Sequence, residues 1–92
     1  MIKEFRHKGL REIFATGRTA KISASLHRRI EVRLWALDAA TAPGDLNVPG
    51  FDFHGLHGFE PTRYSIHVNG PWCITFAFDG ADAVRVDLEQ YH

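Results

Sequence analysis

Four of the six histidines in this 92-residue chain, His54, His57, His67 and His92, fall in its second half. Imidazole is the side chain best placed to exchange protons near neutral pH. The stretch FDFHGLHGF (51–59) sets His54 and His57 among glycines and aromatics, where Gly55 and Gly58 allow backbone and ligand to approach closely and Phe59 offers a surface on which a base could stack. Arg63 supplies a fixed cation a few residues on, and Tyr91 directly precedes His92. Three chemistries fit these residue types. The histidines can be ordinary surface residues. His54, His57 and His92 can hold a metal ion, although His-x-x-His on a loop is a loose signal and the single cysteine, Cys73, completes no zinc spacing. Or they can perform metal-free acid–base chemistry on RNA. In that case a 2′-hydroxyl attacks the neighbouring phosphate, one group takes its proton, another protonates the leaving 5′-oxygen, and a cation steadies the phosphorane.

These residues need elements to carry them. The segment 7–14 places Leu10, Ile13 and Phe14 at helical spacing, with Gly17 as its C-terminal cap. Ile22, Leu26, Ile30, Leu34 and Leu37 predict a second helix to about Ala40, capped by Ser23 or Ser25, with Arg29 and Arg33 off the apolar stripe and facing water. APGDLNVPG (42–50) breaks regular structure. The period then becomes two. YSIHV (64–68), WCITFAF (72–78) and AVRVDL (83–88) read as strands, with turns at Asn69-Gly70 and Asp79-Gly80. A three-residue loop, 69–71, pairs Val68 with Trp72, Ile66 with Ile74 and His67 with Cys73, and keeps apolar and polar faces separate. Ile66, Ile74, Phe76, Val84 and Val86 then face the helices, while Arg63, Ser65, His67, Cys73, Thr75, Arg85 and Asp87 form a polar face. IKEF (2–5) reads as a short strand at the sheet margin. The expected class is α+β: two N-terminal helices packed on a small antiparallel sheet, one domain over 1–92.

Composition narrows the function. Residues 1–35 hold nine Lys/Arg against three acids, and the remainder two against eight, so the chain is bipolar with zero net charge and can offer a basic face to an anionic partner. No run approaches a bilayer span and no signal peptide is visible, so no membrane role is expected. One cysteine excludes an internal disulfide and fits the cytoplasm.

Three stretches in order, MIKEFRHKGLREIF at the start, ALDAAT (36–41) at the helix end and YSIHVNGPWCITF (64–76), together with the terminal Tyr-His, resemble the HigB toxins, the killer-protein branch of the RelE/ParE superfamily. The resemblance runs end to end. It implies a RelE-like fold and a toxin that enters the ribosomal A site and cuts mRNA without a cofactor. It implies neutralisation by a helix-turn-helix antitoxin of the HigA type, through which alone operator DNA would be bound. It also implies that His54, Tyr91 and His92 are catalytic, so that the chain end belongs to the site. The family commonly carries Lys at the position of His57, Arg at that of Cys73 and Asp at that of Gln90, and many members have Arg at that of His67. An Arg at position 73 would be the expected phosphate clamp, and losing one such donor costs roughly 10²–10³ in rate. His57, Arg63, His67 and Arg85 are left to bind the phosphate, with Phe59 as a stacking surface. The alternative is a toxin fold with weak or no nuclease activity that acts by binding protein, on gyrase as ParE-type relatives do or on the antitoxin only.

Overall fold

A computed structural model describes residues 1–90 of the protein. Helix α1 (Lys8–Thr16) starts where the His7 ring accepts from the Gly9 N–H and ends at Gly17, whose φ of 87° lets its N–H return to the Ile13 carbonyl. A 3₁₀ turn at Ala24–Leu26 leads into α2 (His27–Ala39). Neither Ser23 nor Ser25 caps α2. The two hydroxyls bond each other, and the 3₁₀ turn feeds the helix instead. A four-stranded antiparallel sheet follows in the order β1 (His54–Leu56), β2 (Arg63–Asn69), β3 (Trp72–Asp79), β4 (Asp82–Gln90). IKEF joins its far edge through two parallel bridges, Ile2 to Ala83 and Phe5 to Val86. The helices cover one sheet face, where Leu10, Ile13, Ile30, Leu34, Leu37, Ile66, Ile74 and Phe76 are fully buried. This is the expected α+β arrangement. Among the described residues, no helix is long and apolar enough to cross a membrane.

The structure corrects the expected strand layout in three places. β1 was read as loop, because a three-residue strand containing His and Gly carries no alternation. It is held by pairing His54 with Ser65 and Leu56 with Arg63, and by a stack of Phe53 on Tyr64 and Tyr64 on Phe76. The β2–β3 turn has two residues, not three: Asn69 pairs with Trp72, and Gly70 takes the positive φ the turn needs. A bulge at Val68 absorbs the extra residue, so Ile66–Ile74 and His67–Cys73 pair as expected while Val68 stays buried. In β4 the alternation breaks. Thr75 pairs with Asp87 but Ala77 with Val84, which leaves Arg85 as the additional residue of a second bulge with φ 53°. Ala83 and Val86 therefore enter the core, and Val84 moves to the open face opposite Ala77.

Arg33 is the fourth correction. It was assigned to solvent, yet it is only 8% exposed. With Ile30, Leu34 and Leu37 it lines the inner side of α2, a set whose spacing is as helical as the purely apolar stripe. Its Nε donates to the His67 carbonyl at 2.6 Å, Nη1 to that of Arg29 at 3.0 Å and Nη2 to that of Gly50 at 3.4 Å, and the guanidinium lies 4.7 Å from the Phe51 ring centre. Beyond the end of β1, the edge of β2 lacks a strand neighbour. There the His67 N–H donates to the Phe51 carbonyl at 2.6 Å and its carbonyl accepts from Arg33. A loop and a side chain thus complete the ladder that β1 is too short to reach.

Candidate active site

The open face of the sheet carries a groove of about 340 Å³ where β1, β2 and the start of β3 meet, lined by His54, Ser65, His67, Gly70 and Cys73, among others. His54 reaches it from β1. Asp52 takes a left-handed conformation, φ 49°, that turns its carbonyl back toward the ring, and His54 Nδ1 donates to that oxygen at 2.8 Å. The Asp52 carboxylate lies 3.7 Å from the same nitrogen. A carbonyl only accepts, so Nδ1 carries the hydrogen and Nε2 is the basic nitrogen of the neutral ring. His67 is held in the opposite sense: Nε2 donates to the Gly70 carbonyl at 2.9 Å, which leaves Nδ1 as acceptor. Both rings are oriented by backbone oxygens.

Cys73 faces His67 across the strands. Burial pushes its thiol up from the ordinary cysteine value, and the carboxylates of Asp52 and Glu89 push it further the same way. The thiol stays protonated at neutral pH and is no nucleophile.

The remaining candidates lie outside the groove. His57 is exposed in the turn after β1. Arg63 is only 8% exposed and lies on the open face, where Nη2 donates to Glu89 Oε2 at 2.5 Å and to Thr75 Oγ1 at 2.8 Å. Its guanidinium lies 4.9 Å from the centre of the Phe59 ring, so one face of that stacking candidate is already covered. Arg85 sits exposed on the β4 bulge, its N–H bonded to Glu4, and does not line the groove. Tyr91 and His92 lie outside the described residues. Gln90, the last described residue, pairs with Trp72 beside the Gly70 turn that rims the groove. Among the described residues, no three His, Cys, Asp or Glu side chains gather to hold a metal ion.

Sequence reading missed Asp52, which lines the groove, and Glu89, which partners Arg63. For Asp52 the available signal is an Asp two residues before a His, where a local side-chain-to-backbone turn is common. For Glu89 it is a lone acid placed across the sheet from the lone Arg63.

A two-helix layer on a four-stranded antiparallel sheet is consistent with the α+β RelE-like fold. Residues 3–92 match the family model described as the RelE-like toxin of the type II toxin-antitoxin system HigB, and the chain belongs to that family. Among curated proteins it is similar to Endoribonuclease HigB of Proteus vulgaris, with 42% identity over 92 residues and full coverage of both chains. As a type II toxin it has an antitoxin partner.

Proposed function

We infer that the groove is the centre of an endoribonuclease that cuts mRNA on the ribosome. The observation that carries this reading is His54: a ring on a sheet strand whose Nδ1–H is fixed by the Asp52 carbonyl, so that Nε2 is presented as a base. His54 Nε2 takes the proton of the 2′-hydroxyl. The 2′-oxygen then attacks phosphorus, and the 5′-oxygen leaves with a proton from His92. That step produces a cyclic phosphate and a 5′-hydroxyl with no outside reactant. Tyr91 stacks on or hydrogen-bonds the substrate. His67 inside the groove and His57 in the turn after β1 steady the phosphate in place of the arginine that Cys73 replaces. Family resemblance and the exit of β4 beside the groove support the roles of Tyr91 and His92. The partner is a helix-turn-helix antitoxin of the HigA type, DNA is reached only through it, and the toxin works in the cytoplasm.

Expression without the antitoxin should slow growth, with cuts inside translated regions. Primer extension on translating and non-translating copies of one message tests the ribosome requirement, and equal cutting of both would refute it. DNA damage with intact mRNA would support gyrase binding instead.

A further inference from the structure

Arg63, Thr75 and Glu89 come from three adjacent strands and meet diagonally on the open face. Arg63 pairs with Ala77, Glu89 with Cys73, and Thr75 stands between them on β3. One guanidinium nitrogen bonds both Glu89 and Thr75, and the Thr75 hydroxyl also donates to the same Glu89 oxygen. The pair is largely out of solvent, with Arg63 only 8% exposed, although its buried Nε keeps no partner among the described residues. Burial raises the Glu89 carboxyl, yet the Thr75 and Arg63 hydrogen bonds and the Arg63 charge outweigh it and hold the group below its ordinary value. It is a carboxylate at neutral pH, and the cation beside it is neutralised. A charge committed in this way is a poor ligand for an incoming phosphate. It is a good tie for a strand end, because Glu89 is the residue before Gln90, where β4 ends beside the groove rim.

We propose that Arg63 and Glu89 are positioning residues, a clamp across the sheet that fixes the end of β4, and with it the point from which the chain continues past Gln90 beside the groove. This rests on the reading that the terminal pair does chemistry. The clamp acts through residues it does not itself supply to the substrate, so its loss changes turnover and leaves substrate affinity alone.

Glu89→Gln in the full-length protein separates the possibilities, because it removes the charge and keeps the shape. Single-turnover cleavage on programmed ribosomes should show kcat lowered at least about tenfold, within the 10²-fold that a 1 Å misplacement produces, with KM unchanged. A rate equal to or above that of the natural protein overturns the proposal, because it would mean that Glu89 merely masks a phosphate-binding Arg63. Should Glu89→Gln fail to fold, Arg63→Lys and Arg63→Gln are compared. The lysine keeps the ion pair and should retain several-fold more activity, and equal rates overturn the proposal. A chain stopped after Gln90 is assayed alongside. Full activity there refutes the role of the terminal pair, whereas an inactive truncation beside a fully active Glu89→Gln refutes the clamp alone.

Discussion

Replacing Arg33 by Met keeps most of the side-chain volume and removes the guanidinium. The His67 carbonyl then loses its donor at 2.6 Å, and the Phe51 ring loses its cation at 4.7 Å. The Arg29 carbonyl belongs to the helix one turn earlier, and the Gly50 bond is long at 3.4 Å, so neither adds much. A hydrogen bond to a charged group contributes about 1.5–3 kcal/mol, and a desolvated cation–ring contact about 1–2 kcal/mol. Against this stands relief of burying a cation with no carboxylate beside it. Burial, and then the nearby Arg29 charge, lower the Arg33 pKa, which gives the sign of that relief. The net loss should be about 2–4 kcal/mol, a large share of the 5–15 kcal/mol typical of such proteins. Urea unfolding should show a lower midpoint at unchanged slope, and Tm should drop by roughly 8–32 °C, at about 4–8 °C per kcal/mol for a chain of this size. A loss below about 1 kcal/mol would refute the reasoning. It would mean that the buried cation and its bonds cancel, as buried ion pairs often do when exchanged for apolar groups.

Cys73→Arg should raise single-turnover cleavage, since a guanidinium can bind phosphate bidentately and a thiol cannot. An unchanged rate would show that the neighbouring Glu89 captures the new arginine. The chain stopped after Gln90 should melt within about 1 kcal/mol of the full protein, because the pair follows the last core residues, and should lose on the order of 10²-fold or more in rate. Failure to fold would make the pair structural. The folded-state carboxyl of Glu89 lies below the ordinary 4.5, so its stabilising contribution is complete above that pH and is lost as the pH falls through the folded value. Acid titration of Glu89→Gln should accordingly be flatter than that of the natural protein, with Glu12 and Asp45, also lowered by their hydrogen bonds, accounting for the remaining slope. Cys73 should alkylate more slowly at pH 8 than a free thiol, because its pKa is raised.

Apolar periodicity made the helices, the three long strands and the Ile66–Ile74 and His67–Cys73 pairs legible in the sequence, since burial of one face forces each of these. Where the backbone departs from its period, the reading failed. The Val68 and Arg85 bulges each add one residue that has no partner across the strands, and no local pattern announces them. Arg33 was misread because charge was taken as a sign of solvent, whereas three carbonyls and a ring make an interior place for it. His54, His67 and Cys73 line one groove because the strand pairing brings them together. Arg63 reads in the sequence as a cation without a partner, because Glu89, 26 residues later, is brought to it only by the strand pairing.

The bridges from Ile2 and Phe5 to β4 carry a consequence for synthesis. The Lys3 N–H bonds the Ala83 carbonyl at 2.8 Å, and the Arg6 N–H bonds that of Val86 at 2.8 Å. Segments made earliest thus wait for those made almost last, and the loop they close is nearly the whole chain, the slowest kind of contact to form. Until β4 is in place the N-terminal segment has no partner for these bonds, so the helices and the β2–β3 pair can form first and the sheet margin seals late in folding.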